Sequence, residues 1–434
     1  MKKISYKLFF NKTNFLKFLF YIFPIAMLTS SGYITAYTSV LTIYTLYYFH
    51  HYKIKINFSI LDYLIILFFI VSAISTFFNI NVLGGLMFFK SVLDLRFAIL
   101  FFAIRSLIDE KIINIKILCI VSLICTIFLS SDIFLQVIYK KDILGYPEID
   151  GRYGGVFGKE AIAGSYIQKF SLLSILAIFL INLPNKINFF LTIISINFLA
   201  LGTLMTLDRM PYTIYIFNII ILLILLKKFR LRFILSLFLL CSFFLLLFNN
   251  NLKIQNKYLS LLKELEISKI QKLFLFNDKK MNTVSDDKIN NYLSSDYLKI
   301  YNTAYKIFLN NVTIGSGVKS FHSECNKLRF KDEKNILCST HSHNIYLEIL
   351  VNQGIIGIII FLSFIFILLK RNYFDVLIKK SSTEKKLVTI FFLTILIGEL
   401  VPLRSYGSIF QTVNGTVFWF LMALASSKPF IKKT

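Results

Sequence analysis

Charge is scarce in this chain. Only 16% of its 434 residues are Asp, Glu, Lys or Arg, while 56% are apolar. With a mean hydropathy of +0.69, it has too little polar surface for a soluble protein of this length. Glycine (17) and proline (6) are also few, and Phe, Ile and Leu dominate. That composition favours membrane-spanning helices over a barrel with many turns. Acidic residues lag behind basic ones, 23 against 48, which leaves a net charge of +25. A nucleic-acid partner is set aside, because most Lys and Arg fall in short loops between apolar runs, where they orient spanning helices. No metal-type Cys/His spacing occurs and no G-x-x-x-x-G-K-[ST] nucleotide loop is present, so neither a metal, a cofactor nor ATP is expected. The lack of an internal repeat weakens the reading as a twelve-helix transporter or flippase.

Twelve apolar runs are long enough to cross a bilayer as helices. They cover roughly residues 15–31, 33–49, 60–78, 84–104, 113–138, 161–182, 187–206, 210–226, 231–248, 343–369, 387–402 and 407–425. The basic N-terminus followed by an apolar run resembles a signal peptide but lacks an A-x-A-like site, so it is read as a retained first helix. The expected fold is therefore an all-α integral membrane protein of about twelve transmembrane helices. Three regions follow: helices 1–9 over 1–248, a polar loop domain over 249–342, and helices 10–12 with a tail over 343–434. Strongly basic loops alternate with loops nearly free of Lys and Arg, as at 31–33 and 79–83. The positive-inside rule then places both termini in the cytoplasm and the polar domain outside. Lys90, Asp94 and Arg96 in the fourth run predict a helix facing protein or a water-filled cavity. Cys119, Cys125 and Cys241 read as core residues. Cys325 and Cys338 lie in the polar segment, either bridged or as two free thiols.

Within 249–342 the stretches LSLLKELEISKIQKLFLF and DYLKIYNTAYKIFLNN read as helices, and NDKKMNTVSDDKINNYLSS between them as a mobile connection.

The segment THSHNIYLEILVNQGIIGIIIF carries the densest chemical signal. His341 and His343 stand where the polar segment meets an apolar helix. A neutral His among fixed cations has its protonated form disfavoured and is available as a base. Asn344, Glu348 and Gln353 keep one side of the helix start polar, and Gly354 and Gly357 allow another backbone to approach. On the same expected face lie Arg209, in the turn TLMTLDRMPYTIY, and Arg152, in the glycine-rich GRYGGVFGKEAIAGSYI. Lys169 stands about two turns into the following helix, and Arg404 lies in VPLRSYGS. Guanidinium offers a donor fork that suits phosphate. The plainer readings are a snorkelling Arg209 paired with Asp208, an ordinary turn around Arg152, and a solvated Arg404.

Together these pieces resemble the O-antigen ligase and Wzy-type polymerase superfamily over about residues 150–425. The Arg–Gly–Phe loop, the turn arginine, the helix and G-x-G turn of NTAYKIFLNNVTIGSGVKSF, and the His-Asn helix occur in family order. The resemblance implies a bacterial inner-membrane glycosyltransferase acting on the periplasmic face. Its donor would be an undecaprenyl-diphosphate-linked glycan and its acceptor a hydroxyl of lipid A-core, with no metal. Carried over by motif, His343 is the base, with His341 beside it, and Arg209 matches the turn arginine; Arg152, Lys169, Lys299 and Arg404 are the further cations expected near the diphosphate. Two positions depart from the pattern: Asp208 stands where Ser usually precedes the arginine, and Lys299 is the nearest cation where ligases carry an Arg in the large loop, with Tyr301 at the aromatic position. A polysaccharide polymerase and a protein O-oligosaccharyltransferase use the same chemistry and remain alternatives.

Overall fold

The computed structural model describes residues 12–54, 57–160, 162–264, 296–330, 336–377, 383–402 and 404–428. The segment 277–295, expected as a mobile connection, and most of LSLLKELEISKIQKLFLF lie outside these. Among the described residues no strand forms; only two isolated bridges occur, both inside 139–160. Each of the twelve apolar runs falls on helix. Among the described residues six helices are long and apolar enough to cross a membrane, including Ile60–Phe78, Ile115–Tyr139, Ala163–Leu180 and Ile345–Asp375. Arg209–Leu225 and Thr412–Ser426 are shorter apolar helices.

Two of the expected single spans divide into two separate helices. The first divides into Lys12–Tyr21 and Phe23–Ala26, with Pro24 at the start of the second piece. The fourth divides at Asp94 into Gly85–Leu93 and Leu95–Asp109. Asp94 is buried, as its place in an apolar run predicts, whereas Lys90 is exposed. The last helix begins at Thr412, because residues 404–411 form a loop whose backbone has other partners.

Packing separates an inner core from an apolar outer surface. Trp419, Phe68, Phe69, Phe97, Phe170 and Phe361 are fully buried, while Phe238, Ile138 and Ile124 are well exposed. An apolar exterior of this kind is what lipid tails cover, and with the long apolar helices it marks an integral membrane protein. Cys119 and Cys125 are buried, but Cys241 is exposed, which corrects the expectation of a core residue. Its helix Arg230–Asn250 lies at the rim of the bundle and buries only a narrow stripe. A second, smaller core joins Ile300, Ala304 and Ile307 of helix Asp296–Asn310 to Phe321, Cys325 and Leu328 of helix Phe321–Phe330. A Cys325–Cys338 disulfide staples this unit.

Long-range contacts sort the loops to two ends. At one end Arg105 bonds Asp62 and Asp109, the Lys428 amide reaches Asp109, and Arg232 donates to Asn188. Asp62 also closes the capping box that begins helix Ile60–Phe78, so one carboxylate starts the helix and anchors its neighbour. At the other end the Val318 amide donates to Thr76, the Tyr153 amide to Thr206, and the Tyr406 amide to His343. Arg152, Lys169, Arg209, Lys299, His341, His343 and Arg404 all belong to this second end.

Candidate active site

The long helix Ile345–Leu377 is built around a break. Gly354 has φ +63 and ψ −156, outside helical space. An L-residue there would be strained, and its Cβ would lie 2.5 Å from the Thr313 carbonyl oxygen. The loop 312–317 fills the gap. Ser316 and Gly317 donate to the Val351 and Asn352 carbonyls, while the Ile355 and Ile356 amides donate to Val312 and Thr313. Backbone groups that a kinked helix leaves open are thus satisfied inside the protein, as a low-dielectric environment requires. Gly354 meets the expected close approach of another backbone. Gly357 does not: a Cβ there would meet the Gln353 side chain of its own helix.

At the N-terminus of this helix Asn344 is the cap. Its Oδ1 accepts from the amides of Tyr346 and Leu347 at 3.0 and 3.2 Å, and its Nδ2 donates to the Pro402 carbonyl at 2.6 Å. The pairing of His with Asn in the sequence therefore has a mechanical basis: Asn fixes the helix start and places His343 just before it. His343 has φ +54, an uncommon conformation for a side chain of this size. It is held there by the Tyr406 amide on its carbonyl at 2.9 Å. Its Nε2 shares a hydrogen bond with Ser339 Oγ at 3.0 Å, and Tyr297 stands edge-on at 5.7 Å. The His341 ring is 4.1 Å away, centroid to centroid, with Nδ1 on Thr340 Oγ1 at 2.9 Å. His341 Nε2 is buried with no hydrogen-bond partner among the described residues.

Burial pushes His341 down to about 4, helped by the neighbouring His343 and opposed by the Tyr406 backbone. Burial also lowers His343. Both rings are neutral at pH 7, the state a base needs.

Behind Tyr406 lies a buried ionic cluster. Arg404 donates from Nη1 to Glu399 Oε1 and the Gly398 carbonyl, at 2.8 and 2.9 Å, and from Nη2 to Gln168 at 2.7 Å. Tyr406 donates its hydroxyl to Glu399 at 2.6 Å, and Lys169 Nζ sits 4.7 Å from the Tyr406 ring centre. Arg404 is 5% exposed, so its plainer reading as a solvated turn charge is wrong. Two cations face one carboxylate, leaving net positive charge beneath the loop that grips His343. Sequence reading missed Glu399 and Tyr406. The signal was a carboxylate closing an apolar run five residues before an arginine, since a charge in such a place needs a partner.

A second cationic group surrounds the start of helix Arg209–Leu225. Asp208 stands at the N-cap position, makes no capping bond with its side chain, and pairs instead with Arg152 at 3.2 Å. Burial raises Asp208 to about 6, against the pull of Arg152 and Lys257. Lys257 is lowered by burial and then by Arg152 and Arg209, which puts three cations and one carboxylate within electrostatic reach. Asp208, the departure from the family pattern, is thus the carboxylate that holds Arg152. The glycine-rich loop is partly committed, since the Gly155 amide donates to Gln136 at 2.9 Å. Gly164 joins the two cationic groups: a Cβ there would come within 2.6 Å of Thr206 Oγ1 and 3.3 Å of the Asp208 Cβ. Its helix Ala163–Leu180 reaches Gln168 and Lys169 one turn later.

Lys299 is half-buried on helix Asp296–Asn310. On that helix Tyr297 touches His343, and Tyr301 lies beside Asn344. Residues 297 and 301 share a face that Lys299 does not. Beside the histidines opens a cavity of about 230 Å³, lined among others by Lys319, His341, Glu348 and Gln411. Among the described residues no group of three or more His, Cys, Asp or Glu is placed to hold a metal ion.

Residues 190–362 match the family model for O-antigen ligase. The matched segment runs from helix Asn185–Met205 into the broken helix and contains Arg209, Lys299, His341, His343 and Glu348. Arg152, Lys169 and Arg404 lie outside the ligase-family segment, yet contacts at the same end of the bundle tie them to it. No curated protein matches the chain. The ligase-family match supports a ligase- or polymerase-type function, with a lipid-linked glycan as the kind of substrate.

Proposed function

We propose that the protein is a glycan ligase working at the periplasmic face of a bacterial inner membrane, with undecaprenyl-diphosphate-linked glycan as donor and a lipid A-core hydroxyl as acceptor. One observation carries the reading. A neutral, backbone-anchored His343 shares one end of the bundle, and one chain of contacts, with two groups of cations. In the proposed step the His343 imidazole takes the acceptor O–H proton. The acceptor oxygen then bonds the anomeric carbon from the side opposite the leaving group. The bond from that carbon to the diphosphate oxygen breaks, and its electron pair leaves with polyprenyl diphosphate, inverting the anomeric centre. Arg209, Arg152 and Lys169 stabilise the developing negative charge; Lys299 stands nearby as a point charge, and Arg404 shapes the floor through Glu399.

The test is transfer by the purified protein in liposomes holding the donor and a lipid A-core acceptor. Wild type should transfer, and His343→Ala should not, while inserting and folding normally. Intact transfer by that variant removes the base assignment. Arg209→Lys keeps the charge but loses the fork. Its donor KM is expected to rise about tenfold, and near-normal donor binding would count against a diphosphate role. Elongation of lipid-linked glycan without transfer to lipid A-core would identify the polymerase instead.

A further inference from the structure

The cavity beside the histidines differs in charge from both cationic groups. Its wall carries Lys319, Phe321, His341, Glu348, Asn352 and Gln411. Asp94 lies within electrostatic reach of two lining residues, Lys319 and Glu348. Lys319 is the one Lys or Arg among the lining residues, so the wall has no cluster of cations like those around Arg209 and Arg404. The diphosphate has no reason to enter here. We propose that this cavity takes one neutral sugar ring of the acceptor glycan and presents a ring hydroxyl to the histidine pair. The inference rests on the transferase reading above.

Size and chemistry both limit the occupant. An apolar cavity of about 150 Å³ holds benzene, and drug-sized pockets start near 300 Å³. A volume of about 230 Å³ suits a six-membered ring with its hydroxyls and not a disaccharide. Sugar hydroxyls both donate and accept, and the wall offers both: a carboxylate, two amides and an ammonium, with Phe321 for the apolar ring face. Glu348 is held in place by the Ile409 amide on Oε2 at 3.2 Å. His341 lines the cavity between Thr340 and Ser342, so its ring borders the space that a sugar would fill. The two residues with positive φ that flank the site, Lys319 at +61 and His343 at +54, fit a place where the backbone is held for function. The two histidines then divide the work, His341 orienting the acceptor ring and His343 taking the proton.

Photolabelling of the full-length protein in detergent tests this. The probes are alkyl glycosides of glucose, galactose and N-acetylglucosamine that carry a diazirine on the ring. Label is expected on residues 319–321, 340–348 or 408–411. It should fall about tenfold in both Glu348→Gln and Gln411→Leu, and persist when polyprenyl diphosphate lacking a glycan is added. Label elsewhere only, labelling of either variant at the wild-type level, or displacement by the bare polyprenyl diphosphate would overturn the assignment. Since the readout is binding, wild-type protein that labels here yet transfers no glycan would refute the transferase reading and leave the sugar pocket standing.

Discussion

The histidine pair is governed by burial. The unfolded chain binds protons at ordinary His sites near 6.5, whereas the folded one resists them, His341 down to about 4. Folding stability contributed by these groups is thus complete above pH 6.5 and is lost as pH falls from there toward 4, because the unfolded state binds more protons in that window. Activity has a related sign. His343 must be neutral to accept a proton, so kcat/KM should stay level down to pH 6.5 and decline only below it. A pH–rate profile with its acidic limb well above 6.5 would point to another base. The residue types in this site were legible in the sequence, because two histidines at a membrane edge and arginines in short turns have few bland explanations. Their partners were not. That Asp208 would hold Arg152, and that Arg404 would be buried against Gln168, depend on approaches between residues more than fifty positions apart.

Among the elements, the broken helix does the positioning. Gly354 allows the break, loop 312–317 fills it, and the unit bearing Tyr297 and Tyr301 is thereby seated over His343. Gly354→Ala is expected to destabilise the protein by about 1–3 kcal/mol through the forced positive φ, with further loss from the contact to Thr313. Thermal unfolding in detergent measures it, and an unchanged midpoint would mean that the loop and helix are not coupled. Hydrophobic periodicity found the helix and its glycines, and the length of the apolar run gave its extent. It could not show a break, since the apolar pattern continues on both sides of Gly354. The fourth run hid its division at Asp94 for the same reason. The exposed Cys241 shows a related limit: apolar composition does not tell a core-facing from a lipid-facing side.

At the scale of the whole molecule, the two ends differ in how charge is used. Around the loops at 51–54, 109–116, 227–232 and 370–377 the cations follow the pattern expected of a face that orients spans. At the opposite end cations are drawn into clusters with Asp208 and Glu399, next to a cavity whose lining holds one Lys and one Glu. That separation supports a donor gripped by its diphosphate and an acceptor gripped by its sugar. The most direct measurement is the glycolipid profile of cells lacking this protein, complemented with wild type or His343→Ala. The account predicts that wild type restores lipopolysaccharide with long glycan. With His343→Ala, lipopolysaccharide should lack it while full-length chains build up on the polyprenyl carrier. Long-chain lipopolysaccharide made normally by the variant, with no such build-up, would contradict it.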